Sequence, residues 1–327
     1  MDTHELFNNF NSTIVLDSSK ISKLKSNRKA LREKIRNHFS EKKWGMPKFY
    51  SQGSFPLGTN LNPIQKTASN GSVKEKYDLD DGVYFICSES DRKKTSAYHD
   101  RIKKAVDGHA ESVIDKTTCV RVVYEDGHHI DLPSYWLEKD GNVPQLAHKS
   151  KDFINSDPKA FKDWVDDKIS VTNQSGQLRR IIRYLKAWKD YRENQNSSLK
   201  FLSGFILTIL ACNHFSENGC DDLAIKETVE AIKRRLNTNF ACYRPTVPTN
   251  EDLLEGFSKD VVIKELEIFV DNAKKAIDSD CEKTASEHWR KLFGDRFPLG
   301  KEEKKSATHS SNAGSIRTKV SPPWLSY

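Results

Sequence analysis

Apolar positions recur three to four residues apart over much of the chain. In "SSKISKLKSNRKALREKIRNHFSEKKW" (18–44), Ile21, Leu24, Leu31, Ile35 and Phe39 share one helical face while the cations take the other. Residues 4–42 therefore read mainly as helix, with the basic residues as its solvated side. From Tyr77 the period shortens. "YDLDDGVYFI" (77–86), "CVRVVYE" (119–125) and "HHIDLPSYWL" (128–137) read as strands. "AYHDRIKKAVDGHAESVI" (97–114) reads as a helix between the first two, and "EDG" (125–127) closes the last two as a tight hairpin.

Beyond residue 150 the pattern is helical. "INSDPKAFKDWVDDKI" (154–169) offers Ser156 or Asp157 as a cap, with Pro158 at the first helical position. "GQLRRIIRYLKAWKDYREN" (176–194) and the nearly apolar "LKFLSGFILTILACNHF" (199–215) form a helical pair. Further helices are expected near 221–237 and 258–278, separated by the proline-punctuated loop "CYRPTVPTNEDLLEGF" (242–257). The segment 301–320 is charged and poor in apolar residues, so a mobile tail over 301–327 is expected.

Composition narrows the class only slightly. The 327 residues are 36% apolar and carry a net charge of +7, which suits anionic ligands without demanding nucleic acid. No run approaches the ~18 uncharged apolar residues of a membrane span, and "MDTHELFNNF" lacks the basic-then-apolar order of a signal peptide, so the expected location is the cytosol. The six cysteines contain no CxxC pair, and they read as reduced and packed.

The candidate chemistry lies between "GSFPLGTNLNP" (53–63) and "DLDDGVYF" (78–85). On a strand, Asp78 and Asp80 point to one face while Leu79 points to the other. Asp131 alternates in the same way between Ile130 and Leu132. If its strand joins the same sheet, three carboxylates converge, and their repulsion is resolved by hard divalent cations. Two such ions, Mg²⁺ with Mn²⁺ as the alternative, run phosphoryl transfer. Gly53 permits close backbone approach to a triphosphate, and Ser54 offers a hydroxyl and an N–H to phosphate oxygens. No GxxxxGK[ST] loop is present. Taken singly, a Gly-Ser pair reads as a turn and an Asp pair as a strand end.

Order and spacing give the pieces more meaning together. Gly-Ser, then Asp-x-Asp on a strand, then a later Asp between apolar residues, resembles the polymerase-β-like nucleotidyltransferases. The segments "SQGSF" (51–55), "YDLDDGVYF" (77–85), "TCVRV" (118–122), "HIDLPSYW" (129–136), "INSDPKAFKDWV" (154–165) and "LRRIIRYLKAWKD" (178–190) are similar to the bacterial cGAS/DncV-like nucleotidyltransferases, the cyclic-oligonucleotide synthases of anti-phage signalling. That resemblance implies an α+β fold with a mixed-sheet nucleotidyltransferase core (1–170, including a long N-terminal helix) and a helical second domain (171–300) packed across the active-site cleft. It implies Asp78, Asp80 and Asp131 as metal-binding catalytic residues, and Gln52, Gly53 and Ser54 at the phosphates. Lys186, Ser203 and Arg121 match nucleotide-contacting positions of relatives.

The resemblance also implies the product and the partners. Nucleoside triphosphates, ATP and GTP foremost, would be joined stepwise into a cyclic di- or trinucleotide with release of pyrophosphate, and a cyclic-nucleotide-activated effector would respond. A tail ending "SPPWLSY" (321–327) could be presented to a ubiquitin-like conjugation machinery. The short link at 137–152 argues against a regulatory small-molecule site built from longer insertions. Two alternatives stay open: a template-independent transferase with linear products, such as an RNA-tailing or oligoadenylate-type enzyme, and a catalytically silent nucleic-acid-binding module using the basic helix.

Overall fold

The computed structural model describes residues 1–64, 66–67, 73–173 and 176–302. The expected mobile tail beyond residue 302, with "SPPWLSY", lies outside the described residues.

The long N-terminal helix is two helices. α1 (His4–Ile14) ends before Asp17, whose side chain caps α2 (Ser18–Glu41) by accepting from the Lys20 backbone N–H. Strand β1 (Lys48–Gln52) and the single turn α3 (Ser54–Leu57) then fill the stretch that reads as a loop in sequence. After the short pair β2 (Lys66–Thr67) and β3 (Val73–Lys74), strand β4 (Asp78–Ile86) carries the first carboxylates. α4 (Thr95–Val106) is shorter than the helix expected over 97–114, because Gly108 at φ 65° turns the chain and Ser112–Asp115 becomes strand β5. β6 (Cys119–Val123) and β7 (His129–Leu137) follow, joined by the expected tight turn, in which Gly127 has φ 95°. The link after β7 is not bare loop. β8 (Gln145–His148) and β9 (Asp152–Asn155) form a hairpin that extends the sheet.

Sheet order is β1-β4-β7-β6-β5, with β8 pairing β7 and β9 pairing β8. Only the β4–β7 pair within this sheet is parallel, which makes the sheet mixed. Alternation along its strands produces two unlike faces. One face, with Leu79, Val83, Ile130 and Leu132, is covered by Leu24, Leu31, Ile35 and Phe39 of α2 and by Tyr98 and Ile102 of α4. The other carries Asp80, Asp131 and Gln52.

The remaining helices share a second core: α5 (Pro158–Ser170), α6 (Gln177–Gln195), α7 (Gly204–His214), α8 (Asp221–Thr238), α9 (Lys259–Ile277) and α10 (Glu282–Phe293). Trp188 and Trp289 lie at its centre, both fully buried. Helix α1 belongs here and not with the sheet, unlike the division at residue 170 expected from sequence. Its Phe7, Phe10 and Ile14 enter this core, and Phe7 packs edge-on against Trp289 at 4.8 Å. Asp222 accepts from both the backbone N–H and the hydroxyl of Thr3 at 2.8 Å, fixing the start of α1 on α8.

Candidate active site

β4 and β7 bring the carboxylates together. Asp80 lies opposite Asp131 in the parallel register, and Asp78 lies opposite His129. Asp80 is half-buried in the cleft, and desolvation there, followed by the charges of Asp78 and Asp131, holds its carboxyl well above the ordinary range. The third carboxylate of "DLDD" has a different partner. Asp81 points to the opposite face, is 0% exposed, and accepts a two-pronged hydrogen bond from Arg32 of α2 at 2.6 and 2.5 Å. Two adjacent aspartates thus serve different ends because the strand period is two.

Arg121 alternates with Val120 and Val122 on β6, so it faces the side of the sheet opposite to theirs. It lies opposite Asp131 across β6 and β7, and its Nε and Nη2 donate to the two Asp131 oxygens, each at 2.7 Å. Asp131 itself is only 8% exposed.

Beside the carboxylates is a cavity of about 360 Å³, lined by Gln52, Gly53, Ser54, Asp80, Tyr135 and Lys186 among others. Its size is within the range of small-molecule sites. Gly53 takes φ 71°, a left-handed conformation that favours glycine, and a Cβ built there would run into Oδ2 of Asp80. Ser54 opens the α3 turn immediately after it. Gln52 donates from Nε2 to the Tyr135 hydroxyl at 3.0 Å, while its buried Oε1 has no protein partner.

Helix α6 closes the cavity from the other side. Arg179 and Arg183 donate to the carbonyls of Leu57 and Gly58, each at 2.9 Å, and Lys186 Nζ donates to that of Thr59 at 2.7 Å. The spacing of these three residues puts them on one helix face, so α6 holds three consecutive carbonyls, the last of α3 and the two that follow it. Burial pulls the Lys186 ammonium down to about 8, opposed by the Asp78 charge.

Ser203 caps α7, accepting from the Ile206 N–H at 3.3 Å, and is exposed. Its neighbour Gly204 lines the cavity next to Lys186. Sequence reasoning did not single out Thr59, Ser156, Phe161, Phe205 or Arg244, which also line it. Phe161 and Phe205 stand 4.6 Å apart, and the Arg244 guanidinium lies 5.0 Å from the Phe205 ring. The only sequence signal for Arg244 was its position in the proline-punctuated loop.

The oxygen donor set of Asp78, Asp80 and Asp131 has the chemistry of a hard-cation site. Among the described residues, however, the His, Cys, Asp and Glu group whose ligand atoms already lie within 4.8 Å of one another is Asp2, Cys220 and Asp222, remote from this cavity. Of the three catalytic candidates, Asp131 is held by Arg121. His128 is not in a metal cluster: Asp126 and Asn27 engage its two ring nitrogens, and its ring stacks on Tyr124 at 4.3 Å. Among the described residues no helix is long and apolar enough to cross a membrane.

Known proteins resemble the chain in sequence and in fold. Residues 47–135 match the family described as cyclic GMP-AMP synthase DncV-like, nucleotidyltransferase domain. Over 258 residues the chain is 24% identical to a cyclic GMP-AMP synthase of Escherichia albertii, covering 77% of this chain and 56% of that protein. Over 250 residues it is 25% identical to the Vibrio cholerae enzyme of the same name, covering 60% and 53%. The chain thus spans about half the length of the curated relatives it matches. Among solved structures, Vibrio cholerae DncV with the linear intermediate 5' pppA(3',5')pG superposes with a TM-score of 0.73 at 21% identity, over 91% of this chain and 97% of that one. The 3'-deoxy GTP bound form of Escherichia coli DncV gives 0.72 at 20% identity, over 89% and 97%. Residues 47–135, which contain Gln52, Gly53, Ser54, Asp78, Asp80, Arg121 and Asp131, thus match the DncV-like nucleotidyltransferase domain, and the chain has the α+β fold of the DncV structures.

Proposed function

We propose that the chain is a metal-dependent nucleotidyltransferase that joins nucleoside triphosphates, ATP and GTP foremost, into a cyclic di- or trinucleotide with loss of pyrophosphate. The observation that carries this reading is the β4–β7 register, which sets Asp80 opposite Asp131 beside a cavity that also receives Gly53, Ser54 and Lys186. The names and ligands of the DncV relatives support the choice of product.

Asp78, Asp80 and Asp131 would hold two Mg²⁺ ions, with Mn²⁺ able to replace them; when bound, these cations neutralise the carboxylates and stabilise charge on the triphosphate. The other contributions come from the chain itself. Gly53 leaves room for Asp80 and lets the backbone approach the phosphates. Ser54 contributes hydroxyl and N–H donors, and Lys186 a half-buried cation below pH about 8. Phe161, Phe205 and Arg244 provide an aromatic and cationic wall against which a base stacks. A ribose hydroxyl of the acceptor, losing its proton next to Asp131, attacks the donor α-phosphorus, and the bond to pyrophosphate breaks. A second transfer within the same cleft closes the ring.

A cyclic product would serve anti-phage signalling by activating an effector protein. Conjugation of the C-terminus by ubiquitin-like machinery would be a separate control, located outside the described residues.

Purified protein incubated with four radiolabelled nucleoside triphosphates and Mg²⁺ or Mn²⁺, then phosphatase, tests the proposal by chromatography and mass spectrometry. A phosphatase-resistant species of cyclic mass is expected. Exclusively phosphatase-sensitive oligomers would replace it with the linear-product reading, and no triphosphate consumption in either metal would overturn both.

A further inference from the structure

We propose that Arg121 is a resident counter-cation for the carboxylate cluster, holding Asp131 in the metal-free chain and giving way as divalent cations load. The inference rests on reading Asp78, Asp80 and Asp131 as the metal ligands.

Three observations converge on it. Arg121 engages both oxygens of Asp131 at 2.7 Å, the planar fork that makes arginine–carboxylate pairs about twice as strong as neutral hydrogen bonds. Asp131 is 8% exposed, so water competes poorly for those oxygens. Asp131, moreover, lies opposite Asp80 in the parallel register, so like charges stand on neighbouring strands where a cation has to balance them. A carboxylate whose two inner lone-pair positions are filled by a guanidinium is not free to turn both oxygens towards an ion.

The second cation near the cluster does not replace this contact. Lys186 Nζ is bonded to the Thr59 carbonyl, so among the described residues the direct charge-to-charge bond to Asp131 is that of Arg121. A merely structural brace would predict the opposite sign in metal binding, because removing it would disorder a ligand. A counter-cation competes with the incoming ion, and removing it frees a ligand and leaves more negative charge. Once released, the half-buried guanidinium faces a cleft that then holds an anionic triphosphate, whose oxygens its fork also fits. Metal, nucleotide and Arg121 would thus exchange partners together, and the metal-free, nucleotide-free site would avoid uncompensated repulsion.

Titration of the full chain with Mn²⁺, following free ion by electron paramagnetic resonance, tests the inference without reference to turnover. In the absence of nucleotide, Arg121→Gln is expected to bind Mn²⁺ about 10-fold tighter than the unsubstituted chain, the shift given by loss of a competing interaction of charged-pair strength. Arg121→Lys keeps the cation but removes the fork, and is expected to gain about 3-fold; it carries the test if the glutamine variant does not fold. With a non-hydrolysable ATP analogue present, the differences should shrink. Affinity equal to or weaker than that of the unsubstituted chain in both variants would overturn the inference while leaving the metal site standing. Equal Mn²⁺ binding by the unsubstituted chain and Asp80→Asn would overturn the metal reading itself, and the inference with it.

Discussion

Gly53 and Asp80 fit together only because Gly53 has no side chain: a Cβ there would run into Oδ2 of the carboxylate. The left-handed φ of 71° adds a second penalty, about 1–2 kcal/mol for any L residue. Gly53→Ala is therefore expected to lower stability by that amount and to reduce kcat by about 100-fold through displacement of Asp80. Thermal melting and pyrophosphate release measure the two effects. An alanine variant with full turnover would show that Asp80 need not keep this position.

Asp80 and Asp81, neighbours on one strand, should respond in opposite ways. Asp81→Asn breaks the buried pair with Arg32 and is expected to cost about 3–5 kcal/mol. Asp80→Asn removes repulsion and should abolish turnover without lowering stability in metal-free buffer. The Asp80 carboxyl is raised in the folded chain. The folded state then binds more protons than the unfolded one, so the unsubstituted chain loses stability as pH rises above the usual carboxylate range. Urea unfolding in EDTA at pH 5 and pH 8 should show that loss in the unsubstituted chain and a smaller one in Asp80→Asn.

Lys186 gives a pH dependence of opposite direction. Its folded pKa lies near 8 against an unfolded value of about 10.4, so between these limits the unfolded chain binds the extra proton and this residue's contribution to stability rises with pH. The stability of Lys186→Met relative to the unsubstituted chain should fall by at most about 1.4 kcal/mol per pH unit from pH 8 to 10. A constant difference across that range would show that the ammonium is not desolvated.

Arg183 ties α6 to α1 and to the turn at the end of α3, donating to the Asn11 side chain and to the Gly58 carbonyl, each at 2.9 Å. Arg183→Ala is expected to destabilise by about 1–3 kcal/mol. It should also raise KM for triphosphate several-fold, because α6 then holds the turn after α3 through two contacts instead of three. An unchanged KM would mean that Arg179 and Lys186 suffice to position it.

How much of this was legible in sequence depended on how local each cause is. Asp157 and Pro158 start α5 through contacts within one turn, and the structure has that cap, with Asp157 accepting from the Lys159 and Ala160 N–H groups. The alternation in "YDLDDGVYF" and "HIDLPSYW" placed Asp78, Asp80 and Asp131 on strands, but only the parallel β4–β7 register, a long-range pairing, sets Asp80 against Asp131. Strands of four or five residues such as β1, β5, β8 and β9 are too short to show a period. The break at Asp17 had a local signal, since "NSTIVLDSS" (11–19) is poor in helix formers and offers Asp17 as a cap, but the apolar period on either side carried the helical reading through it, and the allegiance of α1 to the helical core is a long-range fact. Phe161, Phe205 and Arg244 come from three separate elements and carry no shared motif, so only the folded chain shows them on one wall.

The parallel pairing of β4 with β7 has a further consequence in time. Asp78 and Asp80 emerge in one segment and Asp131 in another, with α4, β5 and β6 between them. Non-local pairings of this kind form late, after the cost of closing the intervening loop has been met. A nascent or partly folded chain therefore holds two carboxylates on one piece and one on another, and cannot draw on the cell's nucleotide pool. Completion of the β4–β7 pairing therefore decides when the three carboxylates first face one another.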